Sequence, residues 1–242
     1  MTILLIDADI TAYMAVASAE EEIQWDEDIW TIHTDLAIAK EKFTKNIDKY
    51  REELKVDEYK LCFSDSQNFR KSLNPQYKGN RKGRKPVGYA PFKQWAMDTY
   101  PSFSKPTLEA DDCLGILATK FSDTIIVSMD KDLLQIPGKF YRLGVDGKGE
   151  MLEVTDKSGT EFFLTQCLTG DVTDGYGGCP GIGPVKAEAL FKKHGYAWKT
   201  VEDAFVKAGL TEENALLQAR MARILRADDW DFKQDRMILW TP

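Results

Sequence analysis

The chain opens on an unbroken apolar run, Ile3-Leu4-Leu5-Ile6, that stops at two aspartates one residue apart, Asp7 and Asp9. Continuous apolar runs of this length mark strands buried on both faces of a parallel sheet, so residues 2–6 are predicted to form the first strand. Two further segments read as strands, though less uniformly apolar: residues 59–64 (YKLCFS), ahead of Asp65, and residues 124–129 (TIIVSM), ahead of Asp130. Between the first two, Leu36, Ala39, Phe43, Ile47, Tyr50 and Leu54 recur at steps of three and four, which predicts a helix over 35–54. Shorter helices are predicted over 92–100 and 108–121. Weaker strands, 140–143 and 151–154, flank the glycine-rich stretch GVDGKG. Strands alternating with helices predict an α/β core around a parallel sheet. From about residue 155 the pattern changes to short helices, 160–169, 184–194, 201–208 and 212–227. The expected organisation is therefore a core over 1–155 and a helical unit over 156–242.

At 242 residues the chain suits one large domain or a core with an appendage. Hydrophobic residues make up 43% and charged residues 29%, the balance of a globular protein. No apolar run approaches the roughly 20 residues that span a bilayer. No basic region precedes the first apolar run, so a signal peptide is not expected either. Cys62, Cys113, Cys167 and Cys179 are scattered, and there are two histidines. That combination speaks against a zinc site and for a reduced, cytoplasmic protein, here taken as a monomer.

In open parallel sheets, ligands collect at the carboxyl ends of the strands. Each of the three strong strands here ends in an aspartate: Asp7, Asp65 and Asp130. Other acids stand in clusters: Glu109-Ala-Asp111-Asp112 at a helix start, Asp132 just after Asp130, and Asp171 and Asp174 in Gly-Asp-Val-Thr-Asp-Gly. Any one of them has an ordinary explanation as a helix cap, a first-turn acid or a turn residue; Asp9 reads as such a cap, for a helix starting at residue 10 or 11. Together they say more. If three strand ends and a helix start converge, six or more carboxylates crowd one cleft, where they repel or stay protonated unless a cation intervenes. Oxygen ligands almost without histidine or cysteine point to magnesium or manganese. Two such ions about 3.5–4 Å apart can activate water and stabilise the leaving oxygen in phosphodiester cleavage. A second reading starts from Asp-x-Asp-x-Thr, the opening of haloacid-dehalogenase-type phosphohydrolases, but it leaves Glu109, Asp111, Asp130 and Asp132 without a task.

The net charge of −7, from 32 basic and 39 acidic side chains, argues weakly against a nucleic acid partner. The charge is uneven, however. Arg70, Lys71, Lys78, Arg81, Lys82, Arg84 and Lys85 fall between residues 69 and 85 with no acid among them, and a local patch can bind phosphate on an acidic protein. Lys78 and Arg81 are expected at the scissile phosphate and Tyr77 stacked on a base. The outer cations Arg70, Lys82, Arg84 and Lys85 would add sequence-independent attraction to the backbone. Farther on, Pro180-Gly-Ile-Gly-Pro-Val-Lys-Ala187 is a second phosphate device. Gly181 and Gly183 allow close backbone approach, the following helix start offers amides, Ile182 plugs between helices, Ala187 lets them pack, and Lys186 adds charge. A binding module that recognises DNA junctions without cutting fits the same features.

In this order, Asp7, Asp65, YKGNRK, EADD, DKD, GDVTDG and PGIGPVKA resemble the 5′-nuclease family, which includes flap endonucleases and the 5′-nuclease domain of bacterial DNA polymerase I. The similarity is strongest to its small phage exonucleases and runs from residue 2 to about 193. The resemblance implies a PIN-like three-layer α/β core and a helical subdomain with a helix–three-turn–helix element. It implies metal-dependent 5′→3′ hydrolysis of duplex DNA from 5′ ends or junctions, with RNA strands in hybrids and short flaps as further substrates. It assigns Asp7, Asp65, Glu109, Asp111, Asp130 and Asp132 to a first metal cluster, extended by Asp112, and Asp171 and Asp174 to a second. Lys78 and Arg81 match its phosphate-contacting pair. Gly181, Gly183 and Ala187 match its duplex-binding hairpin, which in the family also cradles potassium. The segment that forms a long helical arch in many relatives is limited here to residues 82–108, interrupted by glycine and proline. A short or open arch is expected, which favours exonucleolytic attack over threading of a flap.

Overall fold

The computed structural model describes residues 1–81, 83–144 and 147–242. Lys82 and residues 145–146 of the GVDGKG stretch lie outside the described residues. The chain runs from β1 (Ile3–Asp7) into α1 (Ala8–Ala17), a hairpin of β2 (Glu20–Gln24) and β3 (Trp30–Thr34), α2 (Leu36–Leu54) and β4 (Glu58–Cys62). A short α3 (Phe69–Leu73), α4 (Tyr89–Thr99), β5 (Ser102–Phe103), α5 (Ala110–Lys120) and β6 (Thr124–Ser128) follow. A 3-10 turn over Lys131–Gln135 leads to β7 (Gly138–Leu143) and β8 (Gly149–Val154). The last third holds α6 (Asp156–Thr169), α7 (Pro184–His194), α8 (Trp198–Lys207), α9 (Glu212–Ala222) and a minimal ribbon of β9 (Trp230–Asp231) and β10 (Arg236–Met237).

The main sheet has the order β5-β4-β1-β6-β7-β8, parallel throughout except for β8, which pairs antiparallel with β7. The three strong strands predicted from the sequence are thus immediate neighbours. They are buried because both faces of the sheet are covered. On one face Phe43 and Ile47 of α2, Ala12 and Val16 of α1, and Phe92 and Ala96 of α4 pack on Leu4, Ile6 and Leu61. On the other, Leu114 and Leu117 of α5 pack on Leu5, Ile126 and Phe140. This is the expected three-layer α/β arrangement. The chain leaves β1 toward β4 on one side and returns to β6 on the other, which opens a crevice at the carboxyl ends of these strands.

Besides α3, β5 and the β9–β10 ribbon, which are too short to leave a periodic pattern, two features depart from the predicted elements. The β2–β3 hairpin was not expected. Its strands are mostly polar and largely exposed, so they lack the apolar run that betrays a central strand. The predicted helix over 212–227 stops at Ala222, where the chain turns back across the core: Ile224, Leu225 and Trp230 join the α5 side of the sheet. Helices α6–α9 meanwhile build their own cluster around Phe163, Cys167, Phe191 and Phe205. The segment between the basic stretch and α5 makes no free-standing arch among the described residues, because α4 lies on the core, its Phe92 ring edge-on to Phe43 at 5.5 Å. No helix among the described residues is long and apolar enough to cross a membrane.

Candidate metal centre and nucleic-acid cleft

Strand order brings the acids together. Asp7 is the last residue of β1 and caps α1, accepting the Ile10 amide at 3.3 Å; its other oxygen accepts Ser128 Oγ, at the end of β6, at 2.7 Å. Burial pushes its carboxyl up to about 7, helped by the neighbouring Asp9 and Asp130 carboxylates and opposed by the Ser128 hydroxyl. Asp111, in the first turn of α5, is raised well above its ordinary value by burial and then by Asp7 and Asp130. Asp132 is pushed to about 6 by burial and by Asp130 and Asp171. Its Oδ1 is buried and, among the described residues, has no hydrogen-bond partner. Asp65 differs: the Thr107 amide, 2.8 Å away, is the main cause holding it below its ordinary value.

One cleft is lined by Asp7, Asp65, Glu109, Asp111 and Asp130. A small adjoining cavity is lined by Glu109, Asp111, Asp130, Asp132 and Asp174. Asp171 stands behind Asp174 and shapes its turn, accepting the Thr173 amide at 2.7 Å and the Asp174 amide at 3.3 Å. The sequence-predicted acids other than Asp112 and Asp171 therefore line the cleft or the cavity beside it.

The basic segment supplies the countercharge. Lys78 Nζ lies 2.5 Å from Glu109 and 3.6 Å from Asp174, bridging the two acidic groups. Arg81 donates to Asp174 at 2.6 Å. Burial works against the charge on Lys78, but Glu109 and Asp174 outweigh it and raise its pKa. Burial likewise opposes ionisation of Glu109, yet Arg70 and Lys78 bring it down to about 2.

Four assignments are corrected. Arg70 does not face DNA: it is 3% exposed and forks onto both oxygens of Asp112 at 2.7 Å, while donating to the carbonyls of Met221 and Arg223. Asp112, fully buried, is saturated by that fork and by the amides of Glu109 and Leu225, so it extends no metal cluster. Tyr77 is 2% exposed and cannot stack on a base; its hydroxyl donates to Glu109 at 2.8 Å, setting the acid from beneath. Asp9 is no cap either, since Asp7 fills that role. It accepts the Ser64 amide at 2.8 Å, Lys93 at 3.0 Å and the Tyr89 hydroxyl at 3.1 Å, locking α4 onto the end of β4. All three contacts serve the packing of α4 on the core, and none of them supports the Asp-x-Asp phosphatase reading.

Other members of the basic stretch divide. Arg84 forks onto Glu20 of the hairpin at 2.6 and 2.9 Å, whereas Lys85 stands exposed with its Nζ 4.8 Å over the Tyr89 ring. Lys93 also lines the cleft. Sequence reading missed it, and its one signal was the four-residue spacing from Tyr89, which puts both on one helix face. At the glycine turn, Gly181 takes a φ of +74°, Lys186 donates back to its carbonyl at 2.8 Å, and Ala187 is fully buried. Ile182 is partly buried against the α6–α9 cluster. A Cβ at Gly181 or Gly183 would meet no atom within 4 Å, so this turn presents bare backbone outward.

Among the described residues, no three acidic, histidine or cysteine side chains already surround one point closely enough to hold an ion. Like charges stand apart until a cation neutralises them, and here the Lys78 ammonium occupies the position between Glu109 and Asp174. The donor set itself fits a hard divalent cation: carboxylates alone, three of them raised by burial and mutual repulsion, one with a partnerless buried oxygen.

Residues 2–158 match the family described as 5′-3′ exonuclease, N-terminal resolvase-like domain. The exonuclease of Escherichia phage T7 is 31% identical over 99% of this chain and 93% of its own. The exodeoxyribonuclease of Enterobacteria phage T3 is 32% identical over the same shares. Among solved structures, the T5 5′-exonuclease with bound zinc superposes with a TM-score of 0.67 at 15% identity, covering 92% of this chain and 89% of that one. The T5 D15 flap endonuclease, in a pseudo-enzyme-product complex with DNA and metal ions, gives 0.67 at 12% identity over the same shares. At those identities the likeness is one of fold.

Proposed function

Starting from the fact that the chain belongs to the 5′-3′ exonuclease family, we propose that it hydrolyses duplex DNA from 5′ ends with the help of divalent cations. The observation that carries this reading is the row of carboxylates at the ends of β1, β4 and β6, flanked by Lys78 and Arg81. Asp7, Asp65, Glu109, Asp111, Asp130 and Asp132 would hold a first magnesium or manganese ion, and Asp171 and Asp174 a second. Bound there, the ions supply an activated water and charge stabilisation for the leaving oxygen.

The chain's own groups do the rest. Lys78 and Arg81 pair with Glu109 and Asp174 in the free protein. When a phosphodiester enters, the same cations turn to its oxygens, so the acids are released to metal as substrate arrives. Tyr77 and Arg70 hold Glu109 from behind and keep its position through this exchange. The outward glycine turn and the first amides of α7 take the duplex backbone, with potassium as a candidate ion at that turn. These contacts read backbone rather than base, so RNA strands in hybrids are candidate substrates too.

The test is a duplex labelled differently at its 5′ and 3′ ends, incubated with magnesium or with EDTA. Magnesium-dependent loss of the 5′ label first is expected. Binding without cleavage in magnesium or manganese would favour the junction-binding module instead. A second variant checks the hairpin. Gly183→Val adds bulk only to the outer surface, in an extended conformation any residue adopts. It is expected to weaken duplex binding about tenfold, the worth of one or two lost backbone contacts, with an unchanged melting temperature. Unchanged affinity in the folded variant would exclude this turn from the interface.

A further inference from the structure

We propose that the flank of the cleft between α1 and α4 is a receiving pocket for the 5′-terminal nucleotide, in which Lys93, backed by Lys85, takes the terminal 5′-phosphate. The inference rests on the nuclease reading above and goes past it, to a subsite on the far side of the acids.

Two unlike spaces adjoin the carboxylate row. The small cavity borders the helical unit through Asp174, Tyr176 and Met221. The other, within a cleft of about 990 Å³, runs past Asp9 to Tyr13, Lys85, Tyr89 and Lys93. That is room for a nucleotide. If the duplex lies along the helical unit, the strand end upstream of the cut bond must occupy the second space.

The chemistry of that space suits such an end. Lys93 is held by Asp9 at 3.0 Å and by the Ser64 carbonyl at 2.6 Å. An ammonium has three N–H groups, so one remains for a ligand in the cleft, and the two fixed bonds remove most of the entropy a free lysine would lose on binding. Lys85 has no carboxylate partner among the described residues and sits over the Tyr89 ring. Lys78, Arg81 and Arg84, by contrast, are all committed to acids. The exposed ring of Tyr13 supplies an aromatic surface for a sugar and base, braced by the buried Tyr89 ring 6.4 Å away.

The reaction itself generates the ligand. Water oxygen bonds to phosphorus and the bond from phosphorus to the 3′ oxygen breaks. The departing nucleotide keeps that oxygen, which takes up a proton, and the phosphate stays on the new 5′ end. Every turnover after the first therefore presents a terminal phosphate, carrying about −1.5 to −2 charges, one nucleotide upstream of the next bond to be cut.

The test compares single-turnover rates of the first cut on otherwise identical duplexes bearing a 5′-phosphate or a 5′-hydroxyl, with magnesium. The wild-type protein is expected to cut the phosphorylated end about tenfold faster, the effect of one charge-assisted hydrogen bond. Lys93→Gln should bring the ratio of the two rates close to one, and Lys93→Arg should preserve it. Lys85→Gln, at an exposed position, should lower the ratio in the same direction without changing the melting temperature. Equal wild-type rates on both ends would overturn the pocket alone, as would a Lys93→Gln variant that slows both ends in proportion. No cleavage of either end would remove the nuclease reading and the pocket with it.

Discussion

Asp111→Asn is expected to abolish turnover while making the metal-free protein more stable. Asp111 stands in the first turn of α5, facing Asp7 and Asp130, and burial with those neighbours raises its pKa well above the ordinary value. Asparagine keeps the shape and one oxygen but removes the charge a divalent cation needs. Losing about 4 kcal/mol of charge stabilisation corresponds to about a thousandfold in rate. Duplex binding, which is proposed to rest on the basic segment and the glycine turn, should change little. Retained turnover would take Asp111 out of the metal cluster.

The stability half of this prediction has a pH signature. A carboxyl whose folded pKa lies above its unfolded value costs nothing when protonated in both states. It destabilises the fold increasingly as pH rises from the unfolded pKa through the folded one. With Asp7 near 7 and Asp132 near 6 against 3.8 unfolded, the melting temperature in EDTA should fall between about pH 5 and pH 7, above the range in which lowered carboxyls such as Glu109 gain their stability. Asp111→Asn should flatten that fall, and magnesium at pH 7 to 8 should reverse it by binding only the folded state. A melting temperature in EDTA that rises over this interval would contradict the buried, mutually repelling cluster.

Arg70→Ala is expected to be the most destabilising single change in the basic segment. Asp112 is fully buried and both its oxygens receive Arg70, whose guanidinium also caps the carbonyls of Met221 and Arg223 at the end of α9. Removing one partner of a buried, hydrogen-bonded pair costs about 3–5 kcal/mol, a large share of the roughly 5–15 kcal/mol that stabilises a domain. Arg70→Lys should recover only part, because an ammonium cannot reproduce the planar fork. The double change Arg70→Met with Asp112→Asn should recover more, since no uncompensated charge is left inside. Urea unfolding measures all three. A loss under about 1 kcal/mol together with weakened DNA binding would return Arg70 to the DNA-binding surface.

Both predictions turn on residues whose types were plain in the sequence and whose roles were not. Glu109, Asp111 and Asp112 form one acidic run. Helix geometry then separates them: Asp111 faces the cleft, Glu109 receives Lys78 and Tyr77, and Asp112 points inward to Arg70. In the same way Arg70, Arg81 and Arg84 belong to one basic stretch but end on Asp112, Asp174 and Glu20. Run-level charge gives the sign of a surface. It does not say which member is inside, because that depends on partners 42, 93 and 64 residues away. Asp9 was misread for a related reason. A helix cap satisfies a local rule, so nothing local reveals that Ser64, Tyr89 and Lys93 will claim it.

By itself the sequence determined the buried strands, the 3.6-residue repeat of α2, the aspartate at the end of each strong strand and the oxygen-only character of the donor set. These are local properties: an apolar run, a period, a residue type at an element's end. Only the tertiary structure decided that β4, β1 and β6 are neighbours, which turns three separate aspartates into one cleft. It alone decided which charges face that cleft and which neutralise each other in the interior. The physical reason is desolvation: a buried carboxylate must find a cation wherever the fold can bring one, and sequence distance places no limit on that search.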